Sequence, residues 1–113
     1  MKAQLHHTAL NVANFVWYKN FFTTLFEMTI LRTAETAAER NRKVWFAEGI
    51  QLNEVSVCNS FEAGIPVIDH ISLAVDSIPL AITCALKVGC SKLSEGDHWF
   101  SLPNGVKVEL KKF

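Results

Sequence analysis

The sequence predicts an α+β fold made of two tandem β-α-β-β-β modules that form mixed sheets. Three observations carry that prediction. The phrase His7-Thr8-Ala9-Leu10-Asn11-Val12 returns as His70-Ile71-Ser72-Leu73-Ala74-Val75, with His, Leu and Val in register 63 residues apart (70 − 7). Each phrase is followed by a stretch of helical periodicity and then by three short runs of strand character. Finally, "EGIQLNEV" (48 to 55) matches "NGVKVELK" (104 to 111), so the repeat closes as it opens, with Gly49 against Gly105. A half of about 55 residues buries little by itself, so the two halves are expected to pair within one domain, 1–113. Module 1 covers about 1–58 and module 2 about 67–113, and "NSFEAGIP" (59 to 66) between them has linker composition.

In the opening strand, alternation puts His7, Ala9 and Asn11 on one face and Thr8, Leu10 and Val12 on the other. The matching strand puts His70, Ser72, Ala74 and Asp76 together, opposite Ile71, Leu73 and Val75. One face of each strand therefore suits a packed helix, and the other suits the wall of a cleft. Asn14 is placed to cap a first helix to about Glu27, with Phe15, Tyr18, Phe22, Leu25 and Phe26 as its core stripe. In the second helix Asp76 or Ser77 caps, Pro79 sits in the first turn and Gly89 ends it. Ile82, Leu86 and Ala85 are expected to face the sheet. The remaining strands fall near "MTILRTA", "KVWFA" and "IQLNEVSV" in module 1, and near "CSKLS", "HWFSL" and "VKVELKK" in module 2. Pro103-Asn104-Gly105 marks a turn before the last of these. The glycines lie 56 apart (105 − 49) and the histidines 63, so module 1 carries seven extra residues. They are expected in "TAETAAERNR" (33 to 42), as a polar loop that either folds over a cleft or moves freely on the surface.

Composition narrows the function classes. Lys plus Arg and Asp plus Glu both number 11, with no run of like charge, so no basic field exists for nucleic acid. No apolar stretch approaches a membrane span, and the start lacks the pattern of a secretory signal. Cys58, Cys84 and Cys90 form an odd set without a pairing motif, which suits small, buried, reduced side chains in a cytoplasmic protein. Half of the residues (50%) are apolar, rich for so short a chain, and part of that surface is expected in a homodimer interface.

A lone histidine in an apolar strand is usually a hydrogen-bonded core residue. Two at equivalent positions of a repeat need a better explanation. On the last strand Val106, Val108 and Leu110 form an apolar face, which turns Lys107, Glu109 and Lys111 the other way. His6 alternates to the face opposite His7 and is read as structural or exposed. Repeat alignment puts Lys43, Trp45, Trp99 and Ser101 toward the cleft, where two indoles suit a flat or apolar ligand, or alternatively a dimer interface.

The chain resembles the vicinal oxygen chelate superfamily of glyoxalase I, ring-cleaving dioxygenases, fosfomycin-resistance transferases and bleomycin-binding proteins. The residues that carry the resemblance are His7 to Val12, Phe21 to Met28, Asp69 to Val75 and Leu102 to Leu110, which together span essentially the whole chain. It departs at Phe26-Glu27, where members commonly have Gly after Leu. The resemblance implies a cleft of curved sheet and a divalent metal held by His7, His70, Glu109 and position 53. The first three fit; Asn53 is a weaker ligand than the Glu, Gln or His common there, and a one-residue bulge would present Glu54 instead. Two imidazoles and a carboxylate suit Fe or Mn, with Zn or Ni also compatible. Glu109 is the implied catalytic proton shuttle, and Trp45, Trp99, Asn11 and Ser72 are expected to touch the ligand. The resemblance implies a metal-dependent lyase or isomerase acting on a small molecule with vicinal oxygens. Its alternative is a metal-free binding protein of the bleomycin-resistance type, and a dimer would let His7 come from one chain and His70 with Glu109 from the other.

Overall fold

In the computed structural model, which describes residues 1–36, 41–55 and 64–113, the chain runs through two β-α-β-β-β modules. The first comprises β1 (Ala3–Val12), α1 (Phe15–Asn20) leading into a single π-helical turn (Phe21–Leu25), β2 (Ile30–Thr36), β3 (Asn41–Phe46) and β4 (Ile50–Glu54). The second comprises β5 (Ile68–Val75), α2 (Ile78–Lys87), β6 (Ser91–Lys92), β7 (Trp99–Ser101) and β8 (Lys107–Lys112). Strand neighbours run β1-β4-β3-β2 in one module and β5-β8-β7-β6 in the other, so the sequence repeat is also a repeat of hydrogen-bonded order. The sheet is mixed: β5 and β8 are parallel, whereas β3–β4 and β7–β8 are antiparallel. The chain forms two compact units, Ala9–Asp69 and Met1–Thr8 with His70–Phe113. The start of β1 groups with the second module because β1 is a neighbour of β5 as well as of β4.

In the unit Ala9–Asp69, the core is Val12, Phe15, Val44, Phe46 and Leu52. Period-two alternation buries Val44 and Phe46 on β3, and Val44 lies opposite Leu52 on β4. α1 begins after Asn14, but that side chain makes no capping bond, because its backbone (φ −99, ψ 65) is not the extended one that aims a cap. The single helix expected to Glu27 is instead interrupted after Asn20. The wider turn has a consequence for the aromatic stripe. Phe15, Tyr18 and Phe22 pack into the core, while Leu25 and Phe26 are 62% and 57% exposed, since an i→i+5 turn rotates later residues off the buried face. Phe26 meets Phe21 edge to face, and Phe21 stacks on Trp17.

The polar segment expected as a loop is largely strand. β2 and β3 pair through Thr33 with Val44, Ala34 with Lys43, Glu35 with Arg42 and Thr36 with Asn41; residues 37–40 lie outside the described residues. Polar side chains are tolerated because β2 is the last strand of its row, and Thr33, Ala34 and Glu35 are all exposed.

In the other unit, Val75, Phe100, Val108 and Leu110 form the core, covered by Ile71 and Leu73 and by Ile78, Ala81, Ile82 and Ala85 of α2. Ser77 caps α2, its Oγ accepting the N–H of Leu80 at 3.3 Å, and Gly89 takes φ 109 after the last turn. Leu86 is half-buried. Cys90 packs at the edge of this core, whereas Cys84 is exposed, contrary to the expected burial, because it lies roughly 160° around the helix from Ile82, which packs on the core. Cys58 and most of the expected linker lie outside the described residues. No helix among the described residues is long and apolar enough to cross a membrane.

Candidate metal centre

Three strands of one compact unit present three polar side chains on the face away from α2. β1 buries His7 within an alternating pattern. β5 buries His70, Ser72 and Ala74 on one side and sends Ile71 and Leu73 to the helix. β8 gives Val108 and Leu110 to the core and so turns Glu109 the other way. The parallel register sets Ser72 beside Glu109, and the antiparallel one sets Trp99 on the other side of Glu109.

The ligand-type atoms of His7, His70 and Glu109 all lie within 4.8 Å of one another. The two Nε2 atoms are 3.2 Å apart, and the Glu109 Oε1 is 3.8 Å from each. Two imidazoles bound to one ion at about 2.0–2.1 Å place their nitrogens roughly 3.0–3.4 Å apart at ordinary coordination angles. The observed spacing meets that requirement. Burial, reinforced by the neighbouring His70 ring, holds His7 down to about 4, with Glu109 acting in the opposite sense. His7 is thus a neutral imidazole at neutral pH, the form a metal ligand needs. Its 3.8 Å approach to Glu109 is therefore not an ion pair at that pH. One chain assembles the three groups, with no partner chain needed to supply His7.

The surroundings are built from the same unit. The Trp99 ring meets His70 edge to face at 4.9 Å between centroids. Lys111 Nζ lies 3.9 Å from the Glu109 carboxylate, and Lys107 pairs with Glu95. Ser72 is fully buried, and its Oγ has no hydrogen-bond partner among the described residues. A buried hydroxyl left so costs about 1–3 kcal/mol.

Solved structures share this architecture. A hypothetical protein from Bacillus halodurans C-125 superposes with a TM-score of 0.70 at 17% identity, over 100% of this chain and 96% of its own. Methylmalonyl-CoA epimerase from Mycobacterium tuberculosis gives 0.69 at 18% identity, over 96% and 86%. A variant of the Streptomyces coelicolor methylmalonyl-CoA epimerase, in complex with 2-nitronate-propionyl-CoA, gives 0.68 at 14% identity, over 96% of each. The chain has the vicinal oxygen chelate fold. No protein-family model and no curated protein sequence matches it.

The other expected site residues belong to the unit Ala9–Asp69. Asn53 is buried and its Oδ1 accepts a 2.7 Å hydrogen bond from Gln51 Nε2. β3 and β4 pair without a bulge, Lys43 opposite Asn53 and Trp45 opposite Gln51. Glu54 is held instead by Arg42, whose Nε and Nη2 donate at 3.0 and 2.7 Å. Asn11 is buried, and its Nδ2 donates to the Pro66 carbonyl at 2.9 Å and to Asp69 Oδ1 at 3.4 Å. Trp45 carries the Arg32 guanidinium over its ring at 3.9 Å. His6, which alternation assigns to the opposite face, is exposed, yet its Nδ1 lies 2.7 Å from the Nδ1 of His7. The one sequence signal for that contact is the His6-His7 doublet itself.

Proposed function

We propose that the protein is a divalent-metal-dependent lyase or isomerase, acting on a small molecule that carries two neighbouring oxygens. The observation that supports this reading best is the convergence of His7, His70 and Glu109 within 4.8 Å, two of them buried. His7, His70 and Glu109 would hold an iron, manganese, zinc or nickel ion, and Asn53 is the candidate for a further weak ligand. Such an ion supplies Lewis-acid stabilisation of negative charge developing on a chelating oxygen. Glu109 then moves the proton: its carboxylate takes it from the carbon beside the carbonyl and returns it, as the general base the constellation offers. Ser72 Oγ donates a hydrogen bond to a ligand oxygen, and Trp99 forms an apolar wall. Trp45 and Asn11 are proposed as further ligand contacts.

We also propose a cytoplasmic homodimer, which would cover apolar surface such as Trp17, Leu25 and Phe26, all more than half exposed. A metal-free binding role is the second reading; it draws on the 3.2 Å contact of the two Nε2 atoms, which can share one proton without an ion. The test is solvent-deuterium incorporation into carbon acids with neighbouring oxygens, methylmalonyl-CoA among them, with and without added metal. Metal-dependent exchange that disappears in Glu109→Gln supports the enzyme. Tight ligand binding by chelator-treated protein, without exchange, supports the binder.

A further inference from the structure

We infer that His6 is a positioning residue for the metal centre: it accepts the Nδ1–H of His7 and so fixes the tautomer that leaves the His7 Nε2 lone pair facing His70 and Glu109. The inference rests on the reading of His7, His70 and Glu109 as a metal centre. Its starting point is the 2.7 Å separation of the two Nδ1 atoms, with the rings 5.0 Å apart at 73°. Neighbouring side chains on a strand point to opposite faces, so strand geometry alone does not bring adjacent rings together. Nor does burial hold His6 there, because it is exposed.

Proton counting gives the contact its meaning. A neutral imidazole, the form that ligates an ion, has one N–H and one lone pair. Both ring nitrogens of His7 face another ring nitrogen, Nδ1 toward His6 and Nε2 toward His70. Two arrangements satisfy both contacts. In the first, His7 donates from Nε2 to His70 and accepts at Nδ1, leaving no Nε2 lone pair for an ion. In the second, His7 donates from Nδ1 to His6, and its Nε2 lone pair accepts the Nε2–H of His70. Only the second leaves His7 ready to bind metal; an ion then takes the place of the His70 Nε2 proton, which passes to His70 Nδ1, and His6 must carry its own proton on Nε2. A ligating histidine usually passes its other N–H to a carboxylate, a carbonyl or water, which orients the ring and raises its basicity. Here an adjacent imidazole fills that role.

The test compares wild type, His6→Ala and His6→Asn, the last offering an acceptor oxygen in place of Nδ1. Zinc affinity is read by calorimetry, and the His7 tautomer by long-range proton–nitrogen spectra of the metal-free proteins. The expected result is zinc binding weakened about 10–100-fold in His6→Ala and restored to within a few-fold in His6→Asn. Metal-free wild type and His6→Asn should show His7 protonated on Nδ1, and His6→Ala should show a mixture, with all three melting together. Zinc binding by His6→Ala equal to that of wild type would overturn the inference and leave the metal centre standing. Equal weakening in Ala and Asn would also overturn it. Failure of wild type to bind zinc would remove the metal centre and this inference together.

Discussion

Burial and the adjacent His70 ring hold the His7 imidazole at about 4 instead of 6.5. Between those values the unfolded chain is protonated at His7 and the folded chain is not. The unfolded state then binds more protons, so stability rises with pH across the window and is lost as pH falls from about 6.5 toward 4. Denaturant melts at pH 7, 5.5 and 4.5 should show that slope, and His7→Gln should flatten it; an unchanged slope in the variant would mean other groups carry it. Ser72 makes the opposite kind of prediction. Its unpartnered buried hydroxyl is a cost to the fold. Ser72→Ala should therefore melt a few degrees higher, by about 1 kcal/mol, while binding ligand more weakly; a lower melting point would show that the hydroxyl is satisfied in solution. The face of each of these residues was legible from alternation, because strand side chains strictly alternate. The approach of His6 to His7 was not, since it depends on how one exposed side chain turns back and not on the strand's period.

At the level of elements, caps and glycines were readable where they obey local chemistry. Ser77 caps α2 and Gly89 closes it in the left-handed region, both as the residue types demand. The end of the first helix was not readable, because the π-helical turn at Phe21–Leu25 has no strong sequence signature. Its price falls on Glu27, which adopts φ 54, a conformation that costs a side-chain-bearing residue about 1 kcal/mol. Glu27→Gly should stabilise the protein by about 0.5–1 kcal/mol in urea titrations, and a destabilised variant would mean the Glu27 side chain makes a compensating contact. The extended β2–β3 hairpin shows the same limit of local reading: Thr33, Glu35 and Arg42 look like loop residues by polarity, yet they alternate on paired strands at the outside of the row.

For the molecule as a whole, duplication was the informative signal. Matched histidines and matched glycines fixed the two modules before any single element was secure, and the strand orders β1-β4-β3-β2 and β5-β8-β7-β6 repeat accordingly. Only the second half carries the Glu of the carboxylate position; Asn53 stands at its equivalent in the first, bonded to Gln51. The repeat thus predicts one ion per chain. Metal analysis after supplementation should find it in wild type and lose it in His70→Ala, with circular dichroism nearly unchanged; unfolding of that variant would make His70 a core residue. Sedimentation at micromolar concentration should show a dimer, and a monomer would contradict the proposed homodimer.

The most direct measurement is anomalous scattering from crystals grown with zinc or manganese. The expected result is one peak per chain, about 2.0–2.2 Å from His7 Nε2, His70 Nε2 and a Glu109 carboxylate oxygen. Crystals that show no peak there, with the two imidazoles still in contact through their Nε2 atoms, would contradict the metal centre.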